Sequence, residues 1–281
     1  MNRPASPPPA NDPGSALTRP LAWLRAGWRD FAAVPVASAL HGLLFVLFAL
    51  VIVAIGWRDS GLLAGAFSGF VLVAPVLVTG FHELSRRLHS GEARPRFAIL
   101  ALIAVWRRRG ARLAAFGLML AAIGTAWVAF STLLVRLSLS VSGVASAVDG
   151  AALGATAAGT AAGSAAEAVR AVGVAGFVRQ FAQAGDGWLF VWFLAGGLVA
   201  AVVFAISAIS VPMLVDRDVT LREAIRTSVA ATGTHPVEMA SWSALIMVLA
   251  LVGSLTLIGL VLVVPLLGHA TWHAYRDLAG S

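Results

Sequence analysis

Histidine is the residue type in this chain best suited to chemistry, and its spacing is specific. His269 and His273 stand four apart in GHATWHAY, which puts both rings on one helix face, a turn apart. His82 occupies a comparable place in TGFHELSRRL, and His41 lies near the start of an uncharged run. If those segments are membrane helices, the four imidazoles share one depth near an interface. Imidazoles so placed are ligands for haem iron or a divalent metal, so His41, His82, His269 and His273 form a candidate cofactor set. The plainer reading is an interfacial belt or a structural hydrogen-bond network, because amphipathic rings prefer the membrane–water boundary. No cofactor is assigned on this basis, with haem or a divalent metal as the alternative. His89 and His235 are expected outside the bilayer.

Other chemistries lack their residues. His82-Glu83 begins like the zinc-protease H-E-x-x-H, but Arg86 stands where the second histidine is needed. Without lysine there is no P-loop, and without cysteine there is no thiolate metal site, iron–sulfur cluster or covalently attached c-type haem. Neither G-x-S-x-G nor a dinucleotide fingerprint occurs. The carboxylates Glu83, Asp216 and Glu238 fall at the ends of apolar runs rather than inside them, which gives a carboxylate proton relay little support. Ser207, Ser210 and Thr256 are available to line a solute path, although small polar residues more often serve helix packing. The chain reads as non-enzymatic.

These side chains must be positioned by membrane helices. Hydrophobic residues make up 59% and charged residues 12%, about half the charged share of a soluble domain. Lipid replaces the missing polar surface. The net charge of +7 rests on 20 basic residues, all arginine, gathered at the ends of apolar runs. That is the distribution of membrane anchors rather than of a nucleic-acid-binding face.

In chain order, Met1–Thr18 reads as a disordered tail rich in Pro and Ala, with no apolar core for a cleavable signal. Residues 20–30, with Trp23 and Trp28, form an interfacial helix. Spans are expected at about 34–57, 61–82, 113–135, 188–213, 237–253 and 256–275. Gly61, Gly65 and Gly69 repeat every four residues as a packing ridge in the second. Phe97–Trp106 is too short to cross, so 96–108 is expected as a second interfacial helix held by Arg107, Arg108, Arg109 and Arg112. Residues 137–187, dominated by Ala and Gly, read as an insertion. Thr220 and Glu223 form a capping box that opens a surface helix over 219–232, with Leu221, Ala224, Ile225, Ser228 and Val229 on its apolar face. The uncharged run Met239–Tyr275 is too long for one crossing and is divided near Gly253-Ser254.

Charge sets the orientation. With six spans, sixteen arginines fall on the side of both termini and four on the other, so the positive-inside rule places both ends in the cytoplasm. A five-span reading leaves the N-terminus there as well. Pro75 precedes Arg86 by eleven residues and Pro265 precedes Arg276 by eleven; with Pro212 in VPMLVDR they mark three comparable exits, which favours six spans. The cytoplasmic collar at those exits is Glu83, Arg86, Arg87, Asp216, Arg217 and Arg276.

The segments RPLAWLRAGWRDF, SGFVLVAPVLVTGFHELSRRLHSGE, SAISVPMLVDRDVTLREAIRTS and PLLGHATWHAYRDL resemble a bacterial integral membrane family, domain of unknown function 2189. The resemblance covers nearly all of the chain except the tail and the insertion. Members often carry Asn-Pro before the fifth span, where this chain has His235-Pro236. Some relatives bear a cytochrome c oxidase subunit I label. A haem–copper catalytic subunit has many more spans and mid-membrane histidine ligands, so the resemblance leaves room for an accessory or assembly role instead.

The expected architecture is an all-α, polytopic membrane helical bundle of six transmembrane spans with interfacial amphipathic helices, in the bacterial inner membrane. The lipid bilayer is the expected partner, other membrane proteins are possible partners, and nucleic acid is not expected. The expected role is a non-enzymatic scaffold or an assembly or accessory factor. The alternatives are a haem- or metal-binding accessory of a respiratory oxidase, resting on the histidines, and a small-solute permease, resting on bundle size and the repeated exits.

Overall fold

The computed structural model describes residues 15–58, 78–92, 98–141 and 186–280, and among them there is helix and no strand. The elements are α1 (Ser15–Ala33), α2 (Pro35–Arg58), α3 (78–90), α4 (Ala98–Val141), α5 (Asp186–Ser207), α6 (Ser210–Asp216), α7 (Leu221–Thr234), α8 (Pro236–Ser254) and α9 (Leu257–Ala279). Among the described residues, three helical stretches are long and apolar enough to cross a membrane: Ile103–Ser131, Phe190–Asp216 and Pro236–Gly253. A fourth arises if Thr18–Ala33 and Pro35–Phe48, bent by 105° at their junction, count as one broken span. Pro35 causes the bend locally, since it lacks an N–H and disfavours helical backbone at Val34.

The chain divides into two compact units. One takes in α1, the first half of α2, α3, the start of α4 and everything from Val203 onward. Its core is built where α1 packs on α8 and α9: Trp23 meets Trp242 edge-on at 5.7 Å, against Ala270 and Ala274. Gly27 makes the approach possible, because a Cβ there would stand 2.6 Å from the backbone nitrogen of Ala270. The other unit holds the remaining parts of α2, α4 and α5. In it Trp192 donates to Ser131 Oγ at 3.1 Å, and Trp127 lies 5.7 Å from Trp192, ring to ring.

Large apolar side chains remain exposed on the candidate spans, including Phe190 and Leu198 of α5 and Met247 and Leu251 of α8, each about two-thirds exposed. In water such faces would drive aggregation; in a bilayer lipid covers them.

Several boundaries differ from the sequence reading. The tail ends sooner, because α1 begins at Ser15. The interfacial segment 96–108 and the span 113–135 are one continuous helix, Ala98–Val141, with the arginines in its interior. Arginine is a good helix former, so a charged patch alone does not end a helix. Residues 137–141 and 186–187, read as insertion, are helical. The fourth apolar run is not one helix either: it breaks at Ala208–Ile209, between α5 and α6. Ser228 of α7 bridges that break, accepting from Ile209 N–H at 3.1 Å and donating to the Ala205 carbonyl at 2.7 Å. Thr220 caps α7 by accepting from Glu223 N–H at 3.2 Å. The buried face of α7 is Ala224, Ser228 and Ala231, with Val229 exposed. The run Met239–Tyr275 breaks between Ser254 and Leu257, where Thr256 caps α9 by accepting from Gly259 N–H at 2.9 Å. Gly61, Gly65, Gly69, Pro75, most of 61–82 and residues 142–185 lie outside the described residues.

Candidate functional site

Four helices of the first unit bring polar side chains to one buried cluster. On α3, His82, Ser85 and His89 follow at helical spacing, and Gly91, in the left-handed region at φ 72°, ends the helix just beyond His89. On α9, His269 and His273 share a face as their spacing requires. Ser38 and His41 come from the start of α2, and Asp30 from the end of α1. Ser38, His41, His82, Ser85 and His269 are all buried, as is Asp30. Gly268 lets α9 reach α3, since a Cβ there would stand 2.7 Å from the Phe81 ring.

The hydrogen bonds form a directed chain. Ser85 Oγ donates to Asp30 Oδ2 at 2.6 Å. Its one proton is then committed, so the bond between Ser85 Oγ and His269 Nδ1 at 2.8 Å must run from the ring N–H. A neutral His269 then has an acceptor at Nε2, which takes the Ser38 hydroxyl at 3.0 Å. His273 Nε2 lies 2.9 Å from the same Asp30 Oδ2, and His89 Nδ1 donates to the Ser85 carbonyl at 2.9 Å. Asp30 anchors the chain with its negative charge. Ser38, a candidate nucleophile beside His269, is fully buried, so a substrate could not reach it without the helices parting.

His41 and His269 both pack edge-on to Phe81, with ring centroids at 4.5 and 5.6 Å. His82 bonds the backbone of Gly268, and its Nδ1 has no hydrogen-bond partner among the described residues. The structure therefore gathers two of the four histidines, His41 and His269, around the Phe81 ring, sets His82 against the Gly268 backbone, and ties His273 to a carboxylate. The four do not converge on a common ligand point. Among the described residues, the group whose ligand atoms all lie within 4.8 Å of one another is Asp30, His89 and His273. His89, expected outside the bilayer, is half exposed at the last turn of α3, with its ring beside Asp30 of α1 and His273 of α9.

The collar residues form separate clusters. Glu83 is fully buried and accepts from Arg86 at 2.8 and 3.0 Å, Arg87 at 2.7 Å and Arg108 of α4 at 2.8 Å. Burial pushes the Glu83 carboxyl up, but the bonds from Arg86 and Arg87 and the charges of Arg86 and Arg108 outweigh it and hold its pKa below the ordinary range. Arg108, Arg109 and Arg112 inside α4 thus serve as ion-pair partners rather than marking a helix end. Arg109 and Arg112 both pair with Asp218. Asp216 accepts from Tyr275 Oη at 2.7 Å and lies 3.5 Å from Arg276, while Arg217 stands 5.9 Å over the Tyr275 ring. A third cluster was not anticipated. Arg19 pairs with Asp277 at 3.0 Å and Glu238 at 3.8 Å, and Trp23 Nε1 donates to Asp277 at 2.9 Å.

Asp30, Ser38, Ser85 and His89 are the site residues that sequence reasoning missed. The available signal was the His82–Ser85–His89 stripe, which repeats at helical spacing. A family model described as "predicted integral membrane protein (DUF2189)" matches residues 62–169 and 155–216. No curated protein and no solved structure matches the chain.

Proposed function

We propose, since the chain belongs to the DUF2189 family of predicted integral membrane proteins, that it acts as a non-enzymatic scaffold or assembly factor of the bacterial inner membrane. In this reading it has six spans and both termini in the cytoplasm. One observation carries it: the buried carboxylates of the first unit are engaged in fastening helices to one another. Asp30 joins α1 to α3 and α9, Glu83 joins α3 to α4, and Glu238 faces Arg19 of α1. Groups committed to internal pairs are not free to move protons or solutes, whereas the exposed apolar faces of α5 and α8 are free to meet lipid or another membrane helix.

Photo-crosslinking in cells tests the role. A crosslinker replacing Phe193 or Met247 is expected to give a discrete protein adduct; lipid adducts alone would overturn the scaffold reading. The lack of cysteine makes topology testable separately. A cysteine at Ser60 should react with an impermeant thiol reagent in whole cells, and one at Ser90 only after lysis. The reverse pattern would overturn the orientation.

A further inference from the structure

We propose that Asp30, His89 and His273 form a binding site for one divalent transition-metal ion of the zinc class. This goes beyond the scaffold reading and does not depend on it.

The donor set is two imidazoles and one carboxylate, contributed by α3, α9 and α1. It suits Zn²⁺ and other borderline first-row ions and does not suit Mg²⁺ or Ca²⁺, which prefer oxygen shells. The second shell is already in place. His89 Nδ1–H is held by the Ser85 carbonyl at 2.9 Å, which fixes the tautomer and leaves Nε2 with its lone pair. That Nε2 faces Asp30 Oδ1 at 3.9 Å, too long for a hydrogen bond. Ser85 Oγ supports the carboxylate from behind, through Oδ2.

The three donor atoms lie close enough together to converge on one ion. Two ligands on a tetrahedral zinc, each at about 2.0–2.1 Å, stand about 3.3 Å apart. Here His89 Nε2 lies 3.9 Å from Asp30 Oδ1 and His273 Nε2 lies 2.9 Å from Asp30 Oδ2, and one ligand atom from each residue lies within 4.8 Å of the other two. The His89 and His273 rings lie edge to face with centroids 5.1 Å apart. Loading requires the His89 ring to move in toward the other two ligands and loss of the proton that His273 shares with Asp30. Three protein ligands leave a fourth position open to water or a small ligand. His89, with its side chain about half exposed, gives that position access from outside.

The test is equilibrium dialysis of the full-length chain in detergent against Zn²⁺, with metal quantified by elemental analysis and Co²⁺ as a spectroscopic substitute. One ion per chain is expected. His89→Gln and His273→Gln should each weaken binding by about 100-fold, while His235→Gln and His41→Gln leave it unchanged. His89 is exposed enough for His89→Gln to keep the wild-type melting temperature in chelator, so this variant decides the matter if Asp30→Asn does not fold. No stoichiometric metal, or binding that survives His89→Gln, would overturn the proposal. Binding lost in His41→Gln but retained in His89→Gln would instead place the ion among the other histidines, and would overturn it equally. The crosslinking and topology experiments read neither outcome.

Discussion

Ser85 sits between Asp30 and His269, giving its proton to the carboxylate at 2.6 Å and taking one from the imidazole at 2.8 Å. One hydroxyl thereby joins three helices and sets the tautomer of a buried histidine. A buried polar group contributes modestly when paired and costs much more when left alone, so this position should be sensitive to small changes.

Replacing Ser85 with Ala leaves the His269 Nδ1–H buried without a partner and removes one donor from Asp30. A loss of about 1–3 kcal/mol is expected, read as a lower thermal midpoint in detergent.

Ser228→Ala acts on the break between α5 and α6. The Ile209 N–H loses its acceptor, and the expected cost is again about 1–3 kcal/mol. Hydrogen exchange gives the sharper reading. The Ile209 amide should exchange much faster in the variant, with little change along α8.

Acid should loosen the Glu83 cluster. The folded-state pKa of this carboxyl is depressed below the ordinary glutamate range, because its arginine bonds outweigh burial. Its contribution is therefore fully present above the unfolded-state pKa and is lost as pH falls through the lower folded-state value. Unfolding midpoints measured between pH 7 and pH 3 should drop most steeply at the acid end. Glu83→Gln should lie lower at neutral pH, by about 3 kcal/mol, the lower end for a broken buried pair because its arginines are partly exposed. Its acid dependence should be flatter. Arg108 is about half exposed, so Arg108→Ala should cost less than about 1 kcal/mol.

Gly27→Ala places a methyl 2.6 Å from backbone of α9, where no side chain can rotate away. Overpacking of about 1–3 kcal/mol is expected, with reduced yield of folded protein. Gly197→Ala is the control. Nothing lies within 4 Å of the added carbon, and a gain of up to about 1 kcal/mol follows from helix propensity alone.

Much of the local structure was legible because it is written in short-range chemistry. Thr220 caps the helix its spacing with Glu223 announces, and the long uncharged run divides beside Gly253. Which helices meet was far less legible. Asp30 follows Arg29 and looks like a solvated surface residue; its burial comes from Ser85 of α3 and His273 of α9, which lie 55 and 243 positions away. Arg107–Arg112 look like a terminus because charge and helix end usually coincide near a membrane. Their partners, Glu83 and Asp218, are too far away in sequence for periodicity to reveal. His41, His82, His269 and His273 were recognisable as related by depth, but depth does not specify rotation about the helix axis. That rotation turns His41 and His269 toward Phe81, His82 toward the Gly268 backbone and His273 toward Asp30.

Arg19 and Asp277 are separated by 258 positions, yet they close the same joint. Helix α1 therefore emerges from the ribosome long before its counterpart is synthesised. Until α9 is made, the Trp23 indole N–H must wait at the bilayer, served by water or by a chaperone. A message cut short before the codon for Leu257 would leave that wait without end, giving the cell's membrane proteases a simple criterion for discarding the fragment.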